Sequence, residues 1–238
     1  AASTSEASEQ PFGPLPAPQG VVATATPGVI TLNWNDLGGA TSYEIWDSTG
    51  STLIGTSPTS DFTHNHGSNG TTYTYKVRGF NGANGAFSAV VTARSIAAFA
   101  ITSAVAGPGT GQVTVTWPTP VTGAAAYNIR YGSNSAALSS QVTNVTSPYV
   151  FSGLTGGLTY YFTVVATNPV GLGTAQNSSN QLSATPVAPI AAPTGLTATA
   201  APTGITLNWN AVSGATQYNI YRGTSTGSYA FVNSSATN

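Results

Sequence analysis

Acid–base or nucleophilic chemistry needs donors, acceptors and nucleophiles within reach of one another. This 238-residue chain has few to offer: two histidines, six carboxylates and no cysteine. The one local cluster is Asp61-Phe62-Thr63-His64-Asn65-His66. On an extended strand His64 and His66 point to the same side and could ligate a metal, with Asp61 as third ligand. The plainer alternative for these residues is a polar connection ahead of a later strand. Without cysteine, thiolate metal sites and cysteine nucleophiles are excluded. From Phe99 to Asn238 there is no carboxylate and no histidine, so paired-carboxylate hydrolysis has no residues there. Serine is abundant, but no Gly-x-Ser-x-Gly elbow occurs with a histidine partner. The expectation is a non-catalytic protein without a cofactor.

Binding residues are the next candidates. Tyr131, Tyr221, Trp46 and Tyr149 could form an aromatic face that stacks on sugars, or could fill contacts between sheets and modules. No Arg-Gly-Asp triplet is present, so integrin-type recognition has no support. Asn69, Asn144, Asn177 and Asn233 lie in Asn-x-Ser/Thr sequons and are candidate glycosylation acceptors. A net charge of −1 excludes a basic footprint for nucleic acid. No apolar run approaches the ~18 residues of a membrane-spanning helix. The chain does not begin with Met and has no basic, apolar leader, which predicts a mature form or a fragment.

The elements that would position these side chains are visible as repeats. Residues 28–46, GVITLNWNDLGGATSYEIW, recur at 204–221 as GITLNWNAVSGATQYNIY. A more distant copy, QVTVTWPTPVTGAAAYNIR, spans 112–130. Each copy alternates apolar residues (Ile30, Leu32, Trp34; Val113, Val115, Trp117; Ile205, Leu207, Trp209) with hydroxyls and amides. Period two puts one set on a buried face and the other toward water. Gly and Pro punctuate the runs, and no stretch keeps a helical period. The expected class is all-β, built from sandwiches of about 90–100 residues.

A first strand with a leading Pro (APTGLTATA, 192–200), a Trp ending the second strand and a Tyr opening the third resemble fibronectin type III modules. So does LTGGLTYYFTVVATNPVG (154–171), which is similar to that family's Leu-x-Pro-Gly-x-x-Tyr segment leading into strand F. The resemblance implies an immunoglobulin-like β-sandwich with Tyr160 as a corner tyrosine whose hydroxyl bonds to nearby backbone. Tyr73 takes that place in SNGTTYTYKVRGFN (68–81). Gly156 stands where the family has Pro, and Gly67 where it has Leu. The implied structural core is Trp34, Tyr43 and Tyr73, then Trp117, Tyr127 and Tyr160, then Trp209 and Tyr218. The implied division is a Pro-rich arm or linker (1–18), module one (19–95), module two (96–187) and an incomplete module three with strands A to C′ (188–238).

The spacing of the aromatic residues bears on the third module. The corner tyrosine follows the strand-B tryptophan by 39 residues in module one and 43 in module two, whereas 29 residues follow Trp209. The third module is therefore expected to need either further chain or strands from another subunit. The arm is a poor donor strand, because Pro11, Pro14, Pro16 and Pro18 remove ladder donors.

Charged residues make up 5% of the chain, against about a quarter in ordinary soluble domains. Strand edges are normally guarded by Lys, and this chain has one, Lys76. Charge-poor faces favour association with like modules. The leading expectation is a non-catalytic structural array, extracellular or on a cell surface, such as a filament, sheath or stalk that self-associates. The first alternative is a spacer or carbohydrate-binding accessory region of a secreted polysaccharide-degrading enzyme. The second is a phage tail or capsid appendage. With few titratable groups, stability should depend weakly on pH: between pH 4 and 9 the melting temperature should move by less than about 10 °C, read by calorimetry.

Overall fold

The computed structural model describes residues 13–169 and 172–236, and every regular element among them is a β-strand. The first sandwich contains β1 (Val22–Thr26), β2 (Val29–Asn33), β3 (Ser42–Asp47), β4 (Leu53–Ser57), β5 (Asp61–Asn65), β6 (Thr72–Phe80) and β7 (Val91–Arg94). One sheet has the order β1-β2-β5 and the other β4-β3-β6-β7, antiparallel throughout. Ile30, Leu32, Tyr43, Ile45, Tyr75 and Val77 point inward and are at most 2% exposed. Their strand neighbours Thr31, Glu44, Lys76 and Arg78 fall on the opposite faces, as the pleat requires.

The second sandwich contains β8 (Ser103–Ala106), β9 (Val113–Thr116), β10 (Ala126–Gly132), β11 (Ser140–Val142), β12 (Tyr149–Phe151), β13 (Tyr160–Thr167), β14 (Gln176–Asn177) and β15 (Leu182–Ala184). Its sheets are β8-β9-β12 and β11-β10-β13, with β14 and β15 sharing the far edge of β13. Val113, Val115, Ile129, Phe162 and Val164 form its core with Trp117 and Phe151. After residue 190 the chain makes two hairpins, β16 (Thr197–Ala201) with β17 (Gly204–Asn208), and β18 (Tyr218–Ser225) with β19 (Ser228–Ser235). A cleft of about 500 Å³ separates them, lined by Leu207, Trp209, Val212, Tyr218 and Ile220 among others.

One contact recurs in all three units. Trp34 meets the edge of Tyr43 at 5.2 Å, Trp117 meets Tyr127 at 5.7 Å, and Trp209 meets Tyr218 at 5.2 Å, measured between ring centroids. Each tyrosine hydroxyl then accepts a backbone N–H six residues earlier: Leu37 (2.8 Å), Val121 (2.7 Å) and Val212 (2.8 Å). The ring pair joins the two sheets, and the hydroxyl closes the loop between the strands that carry it. Tyr43 also donates to Asp36 Oδ1, and burial, ahead of the nearby carboxylate, pushes its hydroxyl pKa up.

Residues 61–65, open in the sequence to being a polar connection, instead form β5, paired with β2 from Val29↔Asn65 to Asn33↔Asp61. The free edge of β2 requires a partner, and Phe62 and His64 provide the inward face. Residues 1–12 of the expected arm lie outside the described residues. Residues 13–18 lie against the first sandwich: Leu15 is buried, its carbonyl accepts from Ala86 N, and Asn81 Nδ2 donates to Gly13 O.

Two substitutions in the second sandwich separate the parts of the recurring contact. Tyr127→Phe keeps the ring and strands the Val121 N–H, and should cost about 1 kcal/mol. Trp117→Ala opens the core and should cost about 3–5 kcal/mol, both read by urea unfolding.

Candidate functional site

The histidine cluster sits at one end of the first sandwich. His64 Nδ1 lies 2.8 Å from the Tyr75 hydroxyl, and the His64 and His66 rings are 5.7 Å apart. Tyr73 packs on both, at 5.3 Å and 4.6 Å. His66 Nδ1 accepts from Ser68 N, and its Nε2 is 3.4 Å from Ser95 Oγ. Asp61 does not join them. It is three residues from His64 on the same strand, so the pleat turns it to the opposite, exposed face. Among the described residues no group of three metal-ligating side chains assembles. Burial, reinforced by His66, holds the His64 pKa below the ordinary histidine value. Burial, then Tyr73, pushes the Tyr75 hydroxyl upward.

The four aromatic candidates separate. Tyr131 packs on Phe151 and Phe162, and Tyr149 on Phe151, so both belong to the second sandwich's core rather than to an open platform. Tyr221 is exposed and meets Phe231 edge-on at 5.8 Å. Trp46 lies on the outer face of β3. Opposite it across the β3–β6 ladder is Lys76, and opposite Glu44 is Arg78. Trp46 Nε1 and Arg78 Nε both donate to Glu44 Oε2, at 2.9 and 2.7 Å. The Arg78 guanidinium lies 5.2 Å from the Trp46 ring and 4.9 Å from that of Phe87. Burial pushes the Glu44 carboxyl up, but Trp46 and Arg78 more than offset it and hold the pKa low. Asp47 is lowered to about 2, chiefly by the Thr49 hydroxyl.

The junction of the two sandwiches is a second assembled region. Ser95 and Ile96 connect β7 to the second sandwich and are 0% and 2% exposed. Ser95 O accepts from Gly70 N, and Ala97 N donates to Thr122 O. From the loop after β13, Asn168 Nδ2 donates to Arg94 O at 2.8 Å and Thr174 Oγ1 to Ala25 O at 2.7 Å, while Arg94 N donates to Leu172 O. Gly123 has φ +93°, and a Cβ there would meet Ser95 O at 2.5 Å, so only glycine fits.

Of the corner tyrosines, the Tyr160 hydroxyl accepts from Thr155 N at 3.2 Å, whereas Tyr73 is absorbed in the histidine cluster. Among the sequons, Asn69 Oδ1 already accepts from Gly28 N. Asn177 lies in β14 and Asn233 in β19. Asn144 is exposed in a turn with φ 54°.

Sequence reasoning named Trp46 but not its partners Glu44, Lys76, Arg78 and Phe87. The available signal was Glu-x-Trp and Lys-x-Arg, alternating charges on strands of a chain with almost none. It also passed over Asn81 and Asn168, each eight residues beyond a corner tyrosine and each holding a backbone carbonyl of the preceding segment.

Sheets ordered β1-β2-β5 and β4-β3-β6-β7, with a strand-B tryptophan against a strand-C tyrosine, define the class of fold: tandem antiparallel β-sandwiches of the fibronectin type III-like kind. No family model matches the chain. Exoglucanase B of Cellulomonas fimi is 30% identical over 86% of this chain. The alignment takes in 21% of that protein, so the chain spans about a fifth of its length. Among solved structures, chicken CNTN1 FN1-FN3 domains overlap 94% of this chain and 88% of that one, at 14% identity and a TM-score of 0.37. FN3tt overlaps 35% of this chain and 97% of its own, at 22% identity and a TM-score of 0.32. No helix of the described residues is long and apolar enough to cross a membrane.

The depressed His64 pKa sets the direction of the main acid effect. Below about pH 6.5 the unfolded chain takes a proton that the folded chain resists, so stability falls as pH drops below that value and levels off beneath the folded pKa. Calorimetry at pH 7 and pH 5 should show a lower melting temperature at pH 5, and His64→Gln should remove most of the difference.

Proposed function

We propose that this chain is a non-catalytic, extracellular spacer and accessory array that holds neighbouring parts of a polysaccharide-degrading protein at a set separation. The observation that carries this reading is the buried junction: Ser95 and Ile96 leave no solvated linker between the first two sandwiches. Contacts from both units fasten it, through Arg94, Asn168, Thr174 and Gly123. Beyond Val187, by contrast, residues 188–196 are exposed and contain Pro189 and Pro193, the composition of a semi-rigid connection. The division into 19–95, 96–187 and 188–238 belongs to the same proposal, and is supported by two core clusters that share no residue. The name of the relative, an exoglucanase, supports placing the array beside a glucan-degrading enzyme outside the cell.

A second reading, self-association into a surface filament, sheath or stalk, is favoured by one observation. Leu196, Ile205, Tyr221 and Phe231 of the two C-terminal hairpins are each more than half exposed. Such apolar faces and free edges favour association.

Distance measurements between spin labels decide the spacer reading. Labels on the first and second sandwiches should give one narrow distribution, and labels on the second sandwich and the β18–β19 hairpin a broader one. Gly123→Val should broaden the first. A broad first distribution in the unaltered chain would overturn the spacer reading, and regular filaments in electron micrographs would favour the assembly.

A further inference from the structure

Three of the four tryptophans serve the sandwiches: Trp34, Trp117 and Trp209 end their strands inside the units and are at most 9% exposed. Trp46 has no such duty. It stands on the outer face of the β4-β3-β6-β7 sheet, within the densest group of charges in the chain: Glu44, Asp47, Lys76 and Arg78. At the matching strand position, counted from the strand-C tyrosine, the second sandwich has Asn128 and Arg130 in place of Glu44 and Trp46.

The group is arranged rather than merely crowded. Glu44 and Arg78 are directly opposed on the ladder, as are Trp46 and Lys76, giving a two-by-two grid of side chains. Trp46 and Arg78 both use Glu44 Oε2, and neither uses Oε1; the Glu44 side chain is 23% exposed. The rest of the guanidinium and the Lys76 ammonium supply donors beside it. Phe87 closes the grid, 6.3 Å from Trp46 and nearly perpendicular to it, with Lys76 Nζ 5.9 Å from its ring. Leu53, across the ladder from Trp46, adds exposed apolar surface.

We propose that this face binds a neutral glucan chain. A sugar ring presents an apolar C–H face together with vicinal hydroxyls that both donate and accept. The grid presents an aromatic and aliphatic surface next to a carboxylate oxygen and fixed N–H donors. The Glu44–Arg78 ion pair cancels its own charge, and Asp47 is held by Thr49 and Ser51 in its turn. Those donors keep Asp47 ionised, so it offsets Lys76, and the face carries no net charge with which to select a polyanion. Because Arg78 is already held by Glu44 and two rings, the face loses little freedom on binding. The choice of a glucan rests on the accessory-array reading; the location rests on the grid.

The test uses affinity electrophoresis of the full chain in gels containing soluble mixed-linkage β-glucan, with polygalacturonate as the anionic control. Retardation by β-glucan is expected, weakened at least tenfold by Trp46→Ala and by Glu44→Gln, and unchanged by Tyr221→Ala. Melting temperatures check that the variants fold; should Trp46→Ala fail to fold, Glu44→Gln and Lys76→Ala decide. No retardation of the unaltered chain overturns the proposal. So does retardation that Trp46→Ala and Glu44→Gln leave intact, stronger retardation by polygalacturonate, or loss with Tyr221→Ala alone. None of these results bears on the spin-label distances, so the site can fail while the spacer stands.

Discussion

The structure depends first on a ring pair between two sheets. A tryptophan at the end of one strand meets a tyrosine at the start of the next, and the tyrosine hydroxyl takes a backbone N–H from the loop that joins them. A large aromatic area buried between the sheets supplies the hydrophobic contribution. The hydroxyl bond turns a loop that would otherwise cost entropy into part of the core. The same arrangement stands in the first two sandwiches and in the half-sandwich of β16–β19, where Trp209 and Tyr218 hold their geometry beside an open cleft. The pair's geometry there involves only residues of the two hairpins and the segment between them.

Given stable units, the next constraint is how they join. The first two share a short connection whose Ser95 and Ile96 are buried. Its side-chain hydrogen bonds run from the later unit to backbone carbonyls of the earlier one, Asn168 to Arg94 and Thr174 to Ala25. Among the described residues no ion pair joins the two units, so the joint is expected to respond weakly to salt. Asn81 makes the matching bond to Gly13, and Leu15 is buried as Ile96 is. One sequence device, an asparagine eight residues after the corner tyrosine, thus anchors whatever chain leads into each sandwich. The joint and the outer face carrying Trp46 share no residue, so they are separable features.

Much of the architecture was legible because it rests on local, repeated patterns. Alternation at Ile30-Leu32-Trp34 and its copies assigns a buried face without reference to any other part of the chain. The strand identity of residues 61–65 was not legible, because Asp-Phe-Thr-His-Asn has no sustained apolar alternation; the free edge of β2 recruits it. The Asp61–His64–His66 metal candidate depended on which face each residue takes, and an odd spacing sends Asp61 away from the histidines. Tyr131 and Tyr149 were open to being a sugar platform until Phe151 and Phe162 were placed beside them.

The sequence by itself determined the class of fold, the repeat and the poverty of reactive groups, since each follows from residue type and spacing along the chain. Only the tertiary structure decided that Trp46, Glu44, Lys76, Arg78 and Phe87 share one face and that Ser95 and Ile96 are buried between sandwiches. Those facts depend on cross-strand register and on loops separated by up to 149 residues meeting, as Thr174 meets Ala25. Period-two patterning fixes which side of its own strand a residue takes; it carries no information about which strand lies alongside.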